Sequence, residues 1–310
     1  MKICYFDLNC NWTENYSLNP QIFGGGSVFA REAIQLLNDL DFPQNEFWIY
    51  ASPEAFISNQ PWDDKGKCIP ITEEQKKRLR DGEAVKNIIE NSSRFDIVCH
   101  HHSHLSLNLE GVRAKEACWV AGYQEKTHPK LENILLFSRK YQESEITNPK
   151  AKIYDVVIGK HIPEFKAYKK GNYITQITRH WEAFGSIDVA QFCLENKIKG
   201  IFAGRIVNDY KLMDYIDNKY TFFLGEIAED VKIELYKYAK LVTLVSTWPN
   251  PGSLSAIEAL SYGTPVICRD FGFWKDLIYN GSNGFIIDSW EELSEAYKLA
   301  GRINQLTCWQ

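Results

Sequence analysis

The sequence predicts an α/β protein of two Rossmann-like parallel-sheet domains facing across a cleft. Three observations lead there. Short apolar runs alternate with helix-period segments almost from end to end, the runs are continuously apolar rather than alternating, and a dozen of them are too many for one open sheet. Strands apolar on both faces belong in parallel sheets covered by helices on both sides. A chain of 310 residues has room for two medium domains.

In the first half the strand candidates are Lys2–Leu8, Glu46–Ala51, Phe95–His100, Ala117–Gly122, Asn133–Ser138 and Ile153–Ile158. A second series follows: Asn172–Thr178, Gly200–Arg205, Tyr220–Gly225, Leu241–Thr247, Thr264–Arg269 and Gly284–Asp288. Helical periodicity marks Val28–Asp39, Glu73–Glu90, Gly185–Asn196, Ala228–Lys240, Ser253–Tyr262 and Trp290–Arg302. The stretch His161–Gly171 holds a proline, several charges and a closing glycine, and reads as a linker. The domains are therefore placed at 1–162 and 163–310. Ligands of such folds sit at the carboxyl ends of the strands.

Composition narrows the partners. Lys and Arg number 35 against 40 Asp and Glu, a net charge of −5 spread along the chain, which argues against a nucleic-acid partner. No 18-residue apolar run exists, so no membrane span is expected, although peripheral membrane contact stays compatible. The N-terminus opens on a strand pattern rather than a signal peptide, and none of the eight cysteines forms a C-x-x-C pair. Buried free thiols in a reducing cytoplasm are expected.

The richest segment runs from Ser246 to Asp270 as strand end, Pro/Gly loop, helix, glycine stop and strand. Leu254, Ile257, Ala259 and Leu260 make its helix apolar, yet Glu258 sits among them. A buried carboxylate needs a partner. A vicinal diol such as a ribose is one answer; an arginine or a capped turn is another. Pro251, Gly252 and Ser253 open the helix, where unpaired N–H groups suit a diphosphate.

This segment resembles the donor-binding signature of retaining GT-B glycosyltransferases, in particular the glycosyltransferase family 4 (glycosyltransferase group 1) type. Glu258-Ala259-Leu260-Ser261-Tyr262-Gly263-Thr264-Pro265-Val266 carries the resemblance, with Phe222–Glu226, Leu235-Tyr236 and Ala239 before it and Asp276–Phe285 after it. The resemblance implies a nucleoside-diphosphate sugar, UDP- or GDP-linked, as co-substrate with no separate cofactor. It implies a carbohydrate or other hydroxyl acceptor, held by the N-terminal domain, and retention at the anomeric carbon. Glu258 would bind the donor ribose, the Pro251–Leu254 backbone the sugar and diphosphate, and Thr178 and Arg179 the leaving diphosphate.

Two departures stand out. Asn250 occupies the place of the signature's first glutamate, and Phe184 that of its lysine before Gly185. Lys211 or His180 is a candidate for the missing cation. In the first half Gly24, Gly25 and Gly26 precede a helix, as the family's Gly-Gly loop does. The strand end Asp96–His104 resembles a family pattern in which a histidine lines the donor sugar, with His101 the best match and His102 next. Adjacent strand residues point to opposite faces, which disfavours a shared metal there. Asp39-Leu40-Asp41 reads as a solvated turn, so no divalent metal is demanded. Gly122-Tyr123-Gln124 and Ser138 are weaker family matches. The alternatives are a sugar-nucleotide epimerase on the same fold and a catalytically degenerate nucleotide-sugar-binding module. The family sends a last helix back to the first domain, whereas few residues follow Arg302 here.

Overall fold

β-branched and aromatic residues fill most of the runs that become strands. The structure, a computed structural model, describes residues 1–6, 46–51, 66–70, 86, 89–102, 110–120, 126–136, 142–156, 162–207, 210–248, 254–271 and 274–310. It divides into two units, Met1–His161 and Ile162–Gln310.

The first unit contains β1 (Lys2–Phe6), β2 (Glu46–Ala51), β3 (Gly66–Pro70), β4 (Ile97–His102), β5 (Lys115–Val120), β6 (Asn133–Leu136) and β7 (Lys152–Asp155). They pair in parallel in the order β3-β2-β1-β4-β5-β6-β7. Cys118, Val120, Leu131, Ile134 and Leu136 form a buried cluster around β5 and β6. Every expected strand of this half holds a strand. β3 was not expected, because Cys68 and Ile69 are its only apolar side chains between glycine, lysine and proline. A proline fits such a strand at the end of a sheet, where a missing N–H leaves no partner unpaired.

The second unit contains β8 (Tyr173–Ile177), β9 (Lys199–Ala203), β10 (Thr221–Phe223), β11 (Leu241–Leu244), β12 (Val266–Arg269) and β13 (Gly284–Ile287). Its helices are α1 (Ser186–Glu195), α2 (Glu229–Tyr238), α3 (Leu254–Ser261), α4 (Trp274–Leu277), α5 (Glu292–Ala300) and α6 (Gln305–Trp309). The sheet is parallel in the order β10-β9-β8-β11-β12-β13. The order reverses between β8 and β11, and such a switch point opens a crevice at the carboxyl ends of the strands.

Alternation along each strand assigns the two faces. Leu241 and Ile267 join Val189, Cys193 and Leu293 in a cluster under α1 and α5. Val242, Leu244, Val266 and Cys268 join Tyr236, Ala256, Ala259, Leu260 and Cys308 in another under α2, α3 and α6. Burying one such aliphatic side chain contributes roughly 2 kcal/mol, so β11, buried at every residue, is the least replaceable strand of the unit.

The stretch read as a linker is bonded into this unit. Tyr168 exchanges two bonds with the Gln305 side chain, at 2.9 and 2.8 Å. The Trp309 indole donates to the Pro163 carbonyl at 2.9 Å and packs on Phe165. Asn304 caps α6 by accepting from the Leu306 amide, and α6 lies against α3. Lys170 donates to the carbonyls of Lys237 (2.8 Å) and Tyr262 (3.0 Å) and to the Thr264 hydroxyl. It thereby ties together the carboxyl-terminal ends of α2 and α3, where carbonyls lack helical partners.

Candidate functional site

The carboxyl ends of β8 and β11 lie side by side, since Leu241 pairs with Ile174. Thr178 and Arg179 leave β8 there, and residues 245–248 leave β11. Gly204 permits the crowding at this edge. Its φ is +120°, and a Cβ would fall 1.9 Å from the Thr178 carbonyl oxygen, so a larger residue would push β8 and β9 apart. The Thr178 amide in turn donates to the Ala203 carbonyl at 3.0 Å.

The chain after Arg179 folds into a fixed corner. The Ala183 carbonyl accepts from the Thr247 amide (2.8 Å) and from the Ser246 and Thr247 hydroxyls (both 3.2 Å). Gln176 donates to the Phe184 carbonyl at 2.9 Å. Trp181 packs on Phe184 and on Trp248, with the two indoles 5.6 Å apart. Phe184, standing where the signature has a lysine, thus belongs to an aromatic cluster at the sheet edge. Gly185, at φ +65°, ends the short 3-10 turn Glu182–Phe184 and starts α1.

His180 is fully buried in this corner. Its Nε2 donates to the Ala203 carbonyl at 3.1 Å, so Nδ1 accepts from the Ser186 hydroxyl at 2.8 Å. Burial pulls the imidazole down to about 4, against a partial rise from the Ala203 bond. It is neutral at physiological pH and does not supply the missing cation. The other candidate, Lys211, is exposed on the 3-10 turn Tyr210–Tyr215. Arg179 is exposed at the end of β8.

Glu258 lies in the second turn of α3, with 4% of its side chain exposed. Its Oε1 accepts from the Lys232 ammonium at 2.9 Å, and that ammonium also holds Glu229 at 2.8 Å. Burial alone would lower the Lys232 amine, but the Glu258 and Glu229 carboxylates outweigh it and the net direction is upward. Burial and the same Glu258 carboxylate push the neighbouring Tyr236 phenol well up. The buried carboxylate expected on this helix is therefore present, and a lysine of α2 stands beside it. Sequence reasoning missed Lys232. Its spacing from Glu229 is visible in the sequence, but Glu258 is 26 residues away and is reached only through packing of α2 on α3.

Leu254 is the first residue of α3. Asn250, Pro251, Gly252, Ser253 and the Gly24–Gly26 loop lie outside the described residues. His101 and His102 are the last two residues of β4, at the carboxyl edge of the first sheet; their side chains lie outside the description. His100 is described. It is buried, and its Nε2 donates to Glu116 on β5 at 2.9 Å. Among the described residues no three His, Cys, Asp or Glu side chains cluster as metal ligands. No described helix is long and apolar enough to cross a membrane. Cys4, Cys99, Cys118, Cys193, Cys268 and Cys308 are free, and burial pushes the Cys99, Cys193 and Cys308 thiols to about 12, which keeps them unreactive.

Residues 173–304 match the family model for Glycosyl transferases group 1. That match begins with β8 and ends just before α6, so it takes in the switch point, α2 and Glu258. None of the curated protein sequences compared matches the chain. Solved structures resemble it over both units. AviGT4, a glycosyltransferase involved in avilamycin A biosynthesis, superposes with a TM-score of 0.71 at 16% identity, covering 100% of this chain and 95% of that one. Anabaena Alr3699/HepE in complex with UDP-glucose gives 0.66 at 14%, covering 100% and 97%. Sucrose-phosphate synthase from Thermosynechococcus elongatus gives 0.68 at 13%, covering 99% and 94%. At these identities the likeness is one of fold, and two parallel-sheet α/β units of the GT-B glycosyltransferase type are what the sequence predicted.

Proposed function

We propose that this chain is a retaining glycosyltransferase of the family 4 type that moves a hexose from a UDP- or GDP-sugar to a hydroxyl acceptor. The observation that carries the reading is Glu258, a buried carboxylate on the helix that follows the switch-point strand, within the region that matches the group 1 family model. In this reading Glu258 binds the ribose hydroxyls, and the amides of Pro251–Leu254 meet the diphosphate at the start of α3. Thr178 and exposed Arg179 face the leaving diphosphate, and positioned positive charge there is usually a large catalytic contribution. The Gly24–Gly26 loop, His101 and His102 serve the donor from the first unit, and Asn250 hydrogen-bonds the sugar. The chemistry needs no divalent metal, and the chain works in the cytoplasm with an acceptor read by residues 1–162.

A second reading has its own support. With Phe184 held in an aromatic cluster and His180 neutral, neither of them adds a cation to Arg179 at the strand end after β8. A nucleotide-sugar-binding module with little transfer activity fits that corner. Titrating UDP-, GDP- and ADP-sugars by calorimetry, with product analysis, tests both readings. The proposal expects micromolar binding of one donor, lost by at least about tenfold in Glu258→Ala, a bidentate hydrogen bond to a charged group being worth some 1.5–3 kcal/mol. Wild type and Glu258→Ala binding alike, or neither binding, sinks it. Binding with no transfer or hydrolysis selects the second reading.

A further inference from the structure

A buried ion pair is weak evidence for stability, because well-packed apolar residues of similar volume usually do as well. Tyr236, Ala256, Ala259 and Leu260 pack the contact of α2 with α3, with the Tyr236 phenol beside the Glu258 carboxylate. Lys232 nevertheless reaches into it with only 19% of its side chain exposed. Its ammonium lies between the exposed Glu229, one turn earlier on the same helix, and the buried Glu258 on the next. The i,i+3 spacing lets Glu229 hold the amine on its outer side, so the inner bond to Glu258 has a defined direction.

We propose that Lys232 is a positioning residue for nucleoside recognition, fixing the Glu258 carboxylate for a ribose diol. This rests on the reading of Glu258 as the ribose ligand. The physical need is plain. A buried carboxylate without a partner is costly, and an ammonium at 2.9 Å holds it in one orientation. The diol then meets an oriented acceptor instead of a mobile one.

The test separates ribose recognition from fold. Calorimetry is run with UDP, GDP and ADP, with their 2′-deoxy counterparts and with inorganic pyrophosphate, on wild type, Lys232→Met and Lys232→Arg. Wild type is expected to prefer the ribonucleotide over its deoxy form by roughly tenfold, the value of one charge-assisted hydrogen bond. Lys232→Met should lose most of that preference while pyrophosphate affinity stays within about twofold, and Lys232→Arg should restore it because a second cation satisfies the same carboxylate. If Lys232→Met does not fold, Lys232→Gln, which keeps a donor but no charge, reads the same ratio. An unchanged ribose preference in the Met or Gln variant overturns the role of Lys232 and leaves the donor-site reading of Glu258 intact. Equal losses for pyrophosphate and nucleotide also overturn it, since a merely structural lysine would act that way. A wild type that binds none of the nucleoside diphosphates overturns this proposal and the proposed function together.

Discussion

Two lysines join α2 to its surroundings, and they are opposites. Lys232 meets two carboxylates and its amine is driven upward; Lys170 meets two carbonyls and a hydroxyl, and burial lowers it to about 8. Carbonyl dipoles at helix ends carry partial charge and only partly offset the loss of water, whereas a full carboxylate more than replaces it. The difference separates two tasks. Lys170 stands before β8 at the amino edge of the sheet and closes the fold around the incoming chain. Lys232 holds a carboxylate on the helix that leads away from the carboxyl edge. A buried charge matched by dipoles marks architecture here, and one matched by an opposite charge marks the candidate site.

The sharpest way to break this comparison is Lys170→Met. Removing an ammonium that satisfies two helix-end carbonyls should cost about 3 kcal/mol in urea unfolding, with nucleotide affinity of the folded protein unchanged. Lost affinity with stability intact would put Lys170 in the site instead.

His180 extends the dipole class to a second residue and makes it visible in acid. Its folded value is depressed from 6.5 to about 4, so the unfolded chain takes up the proton first. Stability is full above pH 6.5 and falls as pH drops towards 4, by about 3 kcal/mol in all. Unfolding midpoints across that range should show the slope in wild type and lose it in His180→Gln.

Lys170 predicts a slope at the alkaline end. Its amine is also depressed, from 10.5 to about 8, so the unfolded chain holds the proton longer as pH rises. Stability should climb from pH 8 towards 10.5, by about 2 kcal/mol after allowing for partial exposure, and Lys170→Met should lack that climb. The smallest effect belongs to Trp309→Ala, which removes one indole bond and one ring contact. A loss of about 1–2 kcal/mol is expected, with faster hydrogen exchange at the Tyr168 amide as the local readout.

Much of this was legible. Twelve apolar runs became strands because the inner strands of a parallel sheet are covered on both faces, although the end strand β7 leaves three of its four residues exposed. β3 escaped because its pairing with β2 does the work that its own side chains do not. α4 and α6 escaped because four or five residues are too few to show a helical period. Within the candidate site, Glu258 was readable as a polar residue on an apolar helix, and Thr178 and Arg179 as the exit of a strand. His180 was not readable as neutral, since burial is decided by Phe202 and Phe223, which pack on its ring from other strands.

By itself the sequence determined the parallel sheets and the presence of a carboxylate on α3. These depend on local period and on the identity of single residues. Only the tertiary structure decided that Glu258 would meet Lys232, that Phe184 would join Trp181 and Trp248, and that Pro163, Phe165 and Tyr168 would lie against α6. Those outcomes turn on distances of a few ångströms between elements far apart in the chain, and electrostatic and packing energies follow distance rather than sequence order.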